Sequence, residues 1–320
     1  MPDVRLTAGT IEYEDTGGSD PVVVFLHGLT MNGSLWRHVV ADLHQDYQCV
    51  VPTLPLGGHR RPMRPDADLS LCGQVRLVAE FLECLDLRDV TLVGNDWGGA
   101  QLLVSEGRAE RVGRLVLVAC EAFDNYPPGL PGRAAAFAAK VPGGINAAFQ
   151  PLRIRPLRRL PLTWGWMSKQ PVPDEVMDEW LQPVLTQREI RRDLRKYASF
   201  TPPKEVLLKW AERQRAFKGE VLVLWASEDR VMYGKQVVLA SWVKESTRVD
   251  TTTDPADFYQ YFWWVDVVHP ERGRFMARGN LGQFIYVVPD KDLVIVRFGE
   301  DWGYNRWPEL LRSIADNVPS

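Results

Sequence analysis

The stretch from Val90 to Gly99, VTLVGNDWGG, constrains the fold more than any other part of the chain. Val90, Leu92 and Val93 suit a strand covered on both faces, and Gly94, Gly98 and Gly99 allow a turn too tight for side chains. Beyond it, Ala100, Leu102, Leu103 and Val104 carry a helix. The residue at the apex is Asp96. A carboxylate there is either an ordinary polar residue of a strand-to-helix loop or a nucleophile, able to attack an sp3 carbon and remain as a covalent ester.

The neighbouring segments repeat the strand and helix rhythm. Residues 22–26 form an apolar run ending in His27 and Gly28, as expected of a buried parallel strand that opens on a functional loop. Leu35, Trp36, Val39, Val40 and Leu43 recur at helical spacing, and residues 49–51 return as a strand. Residues 4–8 and 11–14, parted by Gly9, predict an opening hairpin. A proline and glycine loop, TLPLGGHRRPMRP at 53–65, precedes a helix marked by Val75, Val78, Leu82 and Leu85. Residues 114–119 supply the next strand, and the whole reads as a mostly parallel, doubly wound α/β sheet.

From Glu121 to about Gly219 the alternation stops, which predicts an inserted helical cap over 121–218. Residues 174–182 form a helix bounded by Pro173 and Pro183, and Val206, Leu207, Trp210, Ala211 and Phe217 suggest another. The basic clusters at 153–159 and 188–196 read as solvated helix faces. Residues 221–226 resume the sheet, with Ser227, Glu228 and Asp229 at its carboxyl end, a helix over 233–244 and a short strand over 248–251. Strand-like runs then follow at 259–267, 275–278, 284–288 and 293–298, before an amphipathic helix over 307–318 with Pro308 in its first turn. An antiparallel meander with one helix is a foreign ending for an α/β chain, so two segments are expected, 1–248 and 249–320.

The 320 residues are enough for such a core, and a formal net charge of -3 gives no reason to expect nucleic acid or an anionic membrane as partner. Residues 1–10 lack an apolar leader core and no apolar run is long enough to span a bilayer, so a cytoplasmic location is the expectation. Cys49, Cys72, Cys84 and Cys120 lack C-x-x-C spacing and read as reduced packing thiols. Neither metal nor cofactor is expected.

Residues 1 to about 248 resemble the α/β-hydrolase family, in the branch of haloalkane dehalogenases and epoxide hydrolases. The matching pieces are L-H-G at 26–28, G-N-D-W-G-G at 94–99 and W-A-S-E-D at 225–229, with Asp96 where a G-x-S-x-G elbow usually has serine. The resemblance implies Asp96 as nucleophile and the backbone N–H groups of Trp97 and Leu29 as an oxyanion hole. It implies a small apolar substrate and an acid that orients a histidine. Asp229 or, in the alternative position, Glu121 matches that acid. Trp97 matches the residue whose indole N–H holds a departing halide, and Trp164 or Trp166 from the cap could supply a second donor. Epoxide hydrolases use two cap tyrosines, for which this chain offers only Tyr126 and Tyr197, and the proline they carry after H-G-x is replaced by Thr30.

The departure concerns the base. The resemblance implies a histidine in a loop near residues 251–257, TTTDPAD, where none stands. His27 belongs to the oxyanion loop, His38 and His44 fall on a helix surface, and His59 reads as an entrance or surface residue. His269 sits in a V-V-H-P turn and is the remaining candidate base. The expectation is therefore a dehalogenase-like hydrolase that stalls at the covalent ester, with an epoxide hydrolase or a binding-only fusion chain as alternatives.

The tail from Asp254 to about Val318 resembles the end of the serine β-lactamase and penicillin-binding-protein group, in FYQYFWWVD and ARGNLGQFIYVVPDKDLVIVRFG. That group needs an S-x-x-K serine far upstream. The S-W-V-K at 241–244 stands too close to the tail for that role, and residues 278–282 alone have no chemistry. The tail is expected to be a structural remnant.

Overall fold

A computed structural model describes residues 1–18, 21–96, 99–120, 126–161, 163–168, 170–214, 216–224, 246–248, 259–260, 263–267, 269–279, 283–291, 293–297 and 306–318. The chain divides into two compact units, 1–237 and 238–320.

The first unit opens with the expected hairpin, β1 (Asp3–Leu6) and β2 (Gly9–Asp15). There follow β3 (Val22–Leu26), α1 (Arg37–Leu43), β4 (Gln48–Pro52) and α2 (Leu71–Cys84). The chain continues through β5 (Val90–Asp96), α3 (Ala100–Ser105) and β6 (Val112–Cys120). Further helices are α4 (Gly129–Lys140), α5 (Gly144–Phe149), α6 (Asp174–Thr186), α7 (Arg188–Ala198) and α8 (Lys204–Gln214), before the strand β7 (Glu220–Leu224).

These strands form one sheet in the order β1-β2-β4-β3-β5-β6-β7, antiparallel at the first two pairings and parallel from β4 to β7. The chain leaves β3 toward one edge through β4 and returns to β3's other side through β5. The carboxyl ends of β3 and β5 therefore flank a topological switch point, where a crevice opens above a parallel sheet.

Side chains of β3 alternate between two cores. Val22, Val24 and Leu26 join Leu92, Val75, Val78 and Phe81 on one face. Val23 and Phe25 join Trp36, Cys49, Val51 and Val93 on the other. Every position is covered, which explains why the run reads as uninterrupted apolar residues. Ser70 caps α2 by accepting from the Gly73 N–H.

The stretch expected as one cap does two jobs. α4 to α7 build a core of their own around Phe149, Met177, Trp180, Leu181, Ile190 and Leu194. α8 instead packs on α3: Leu207 and Trp210 enter the main core, the Ser105 hydroxyl donates to the Trp210 carbonyl at 2.9 Å, and the Trp210 indole donates to Glu106 at 2.6 Å. The basic clusters are not simply solvated. Arg158 is buried and donates to Asp178, Arg195 donates to the Ala139 carbonyl, and Lys196 donates to the carbonyls of Pro65 and Ala67. The four cysteines are unbridged.

The second unit contains β8 (Tyr259–Gln260), β9 (Trp263–Val265), β10 (Phe275–Arg278), β11 (Phe284–Val288) and β12 (Leu293–Arg297), an antiparallel sheet in sequential order, followed by α9 (Trp307–Asn317). Its core gathers Met276, Phe284, Tyr286, Val288, Leu311 and Ala315. The expected helix over 233–244 and the S-W-V-K segment lie outside the described residues, as does the expected strand over 248–251 except for residue 248, which is in a bend.

Candidate functional site

Asp96 ends β5 with φ 51°, a left-handed conformation that costs a non-glycine residue on the order of 1–3 kcal/mol. A register shift in the β5–β6 pairing falls between Asn95 and Asp96, so the strand breaks its ladder where the acid turns out of the sheet. Gly99, at φ 66°, then starts α3.

The loop after β3 meets this turn at close range. The Leu29 N–H donates to Asp96 Oδ2 at 3.0 Å. A Cβ on Gly28 would stand 2.7 Å from both Cβ and Oδ2 of Asp96, so a residue with any side chain cannot share this corner. Behind it, His27 is wholly buried. Its Nδ1 donates to the Gly28 carbonyl at 2.8 Å, and Nε2 accepts from the Leu54 N–H at 2.8 Å, which fixes a neutral ring. Burial, reinforced by the nearby His59, pulls the His27 pKa down to about 4 against the opposing Gly28 hydrogen bond.

Asp96, Leu29 and Thr30 line a cavity of about 170 Å³, closed from the cap by apolar groups that include Phe149, Leu152, Trp164 and Met167. Trp164 is 8% exposed, and its indole N–H is buried without a hydrogen-bond partner among the described residues. A buried donor left unpaired costs about 1–3 kcal/mol. Trp166 is not among the lining residues.

The other expected site residues are distributed otherwise. Trp97, Glu121 and Asp229 lie outside the described residues. His269 belongs to the second unit, where its side chain is 47% exposed and its Nδ1 lies 3.4 Å from Glu271 Oε1. His38 and His44 are exposed, as expected. His59 corrects the expectation of an entrance or surface residue: it is 3% exposed, it accepts from the Gly57 N–H through Nδ1, and its Nε2 faces Asp193. No described histidine lines the cavity, and neither Tyr126 nor Tyr197 does. The described residues contain no cluster of three or more metal-ligating side chains. None of their helices is long and apolar enough to cross a membrane.

Sheet order, elbow and cap define the α/β-hydrolase fold. The model of the alpha/beta hydrolase family matches residues 23–267, and the chain belongs to that family. A haloalkane dehalogenase of Mesorhizobium japonicum is 37% identical over 97 residues, 30% of this chain and 31% of the relative. A cis-3-alkyl-4-alkyloxetan-2-one decarboxylase of Xanthomonas campestris is 35% identical over 129 residues, 37% of this chain and 42% of the relative. The chain thus spans about a third of the length of the first curated relatives it matches. Among solved structures, a haloalkane dehalogenase from Agrobacterium tumefaciens C58 superposes with a TM-score of 0.55 at 22% identity, covering 69% of this chain and 77% of that one, a likeness of fold.

Proposed function

We propose that the chain is a hydrolase of haloalkane-dehalogenase type in which Asp96 attacks a small apolar alkyl halide and the reaction halts at the covalent ester. The observation that carries the reading is a carboxylate in a left-handed turn, at the base of an apolar cavity of about 170 Å³. The Leu29 N–H orients the carboxylate through Oδ2. A carboxylate oxygen of Asp96 bonds to the sp3 carbon as the carbon–halogen bond breaks, and the halide leaves with the bonding pair. Trp164 stands on the cavity wall where the halide would leave, and the Leu29 N–H remains on the ester group.

Water must be activated to cleave the ester, and the described histidines of the first unit offer no base at the cavity. His27 keeps both ring nitrogens occupied, and His59 does the same against Gly57 and Asp193. Asp229 and Glu121 stay proposals for an orienting acid, and His269 for a base. An epoxide needs a phenol to protonate its opening oxygen, and the cavity has none among the described residues, which favours the halide. The tail reads as a remnant without chemistry of its own.

The test is halide release from a 1-bromoalkane under excess substrate. A burst of one equivalent per chain followed by a flat line is expected. Linear turnover would overturn the stall, and absence of any halide would overturn the dehalogenase reading.

A further inference from the structure

Thr30 is the strained residue of the oxyanion loop. It is β-branched, 6% exposed, and held at φ 60° on the cavity wall directly after the Leu29 amide. A β-branched residue does not rest there without support. Its N–H donates to the Leu56 carbonyl at 2.8 Å and its hydroxyl to the Leu29 carbonyl at 2.6 Å.

Leu56 belongs to the proline and glycine loop, which is pressed between Thr30 and the cap. Gly57 adopts φ 109°, and a Cβ there would lie 3.3 Å from Leu194 Cδ2 of α7 and 3.4 Å from Thr30 Cγ2. Next to it comes a buried polar pair. The His59 Nδ1 accepts from the Gly57 N–H at 3.3 Å, which leaves Nε2 protonated, 3.4 Å from Asp193 Oδ2. Asp193 is fully buried on α7. Its Oδ2 also accepts from the Met63 N–H at 2.7 Å, and its Oδ1 accepts from Arg192 at 2.9 and 2.7 Å.

We propose that His59 and Asp193 are positioning residues for the Asp96 site: they clamp residues 56–63 to α7, so that the Leu56 carbonyl holds Thr30 and, through it, the Leu29 N–H on the carboxylate. The inference rests on the reading of Asp96 as the reacting group. A buried hydrogen bond to a carboxylate is a poor source of stability compared with apolar packing, but it is directional, and direction is what the loop requires. The cap has separate fastenings to the body, since Glu179 of α6 accepts from Asn32 and Trp180 donates to Ser34, while Arg60 adds an exposed tie from the loop to Glu179. Loss of the clamp therefore loosens the loop without detaching the cap.

The test compares full-length wild type with Asp193→Ala, His59→Ala and Asp193→Asn, the last keeping an acceptor oxygen. Two quantities are read: the rate of ester formation at saturating 1-bromoalkane with its half-saturation concentration, and hydrogen exchange in the peptide spanning 27–31. Both alanine variants should slow ester formation by about tenfold or more with half-saturation moved less than about twofold. Exchange over 27–31 should rise while β5 stays protected, and Asp193→Asn should keep most of both. Wild-type rates with unchanged exchange in the alanine variants, or protection lost equally along β3 and β5, would overturn the proposal. If wild type forms no ester, the reading of Asp96 fails, and exchange alone decides: a rise confined to 27–31 upholds the clamp, and no rise refutes it.

Discussion

Strand β3, VVVFL, is buried at every position, whereas β11, FIYVV, buries Phe284, Tyr286 and Val288 and leaves Ile285 exposed. The first belongs to a parallel sheet covered on both faces, the second to an antiparallel sheet covered by α9 on one. The two sheets also bury polar groups differently. His27, beyond β3, is wholly buried as a neutral ring with both nitrogens satisfied. Arg274, before β10, is buried as a cation, doubly bonded to Asp290 at 2.8 and 2.6 Å and to Asp316 at 2.7 Å. These carboxylates raise its pKa further, Asp290 most. Neutrality suits a loop that must approach Asp96 closely, while a paired charge suits a scaffold.

Gly28→Ala should have the largest effect of any single substitution. Its Cβ would enter the Asp96 side chain, so Leu29 must retreat from the carboxylate and ester formation should fall by more than about a hundredfold. Wild-type labelling in that variant would show that the close corner is not needed.

In the second sheet the equivalent probe is Phe284→Ala, which removes a ring 1% exposed and should cost about 3–5 kcal/mol, read as faster hydrogen exchange across β10 to β12. Its neighbour Ile285→Ser, on the open face, should cost less than about 1 kcal/mol. Equal costs would erase the distinction between one-sided and two-sided burial.

The pH dependence of His27 is next. Its folded pKa, about 4, lies below the unfolded value of 6.5, so the unfolded chain binds the extra proton first. Its contribution is complete above pH 6.5 and is lost as pH falls toward 4, a change on the order of 3 kcal/mol. Denaturant titrations of the first unit at pH 7 and pH 4.5 should show this loss, and His27→Gln should flatten it. A wild type without that slope would mean that the ring is solvated.

The elbow was legible because its requirements are local. Glycines around one acid, after an apolar run, leave few other structures, and Gly28 and Leu29 follow from the matching loop. Trp164 was legible as one of two cap candidates, and the cavity shows that it, not Trp166, lines the wall. His59 was misread as an entrance or surface residue because a loop histidine carries no burial pattern of its own. The missed signal lay on α7, where Asp193 shares a face with Ile190, Leu194 and Tyr197, so a charge on that apolar stripe demanded a partner. The basic clusters were half legible: the second lies on the expected helix and the first on short 3-10 turns, but their bonds to backbone carbonyls depend on segments brought from far along the chain. Asp229, Glu121 and Trp97 remain expectations of the sequence.

The most direct measurement is mass spectrometry of the intact chain and its peptides after incubation with a 1-bromoalkane. A single alkyl adduct on the peptide containing Asp96, absent in Asp96→Asn, is expected. An unmodified chain, or an adduct on any other residue, would contradict the assignment of Asp96 as the nucleophile.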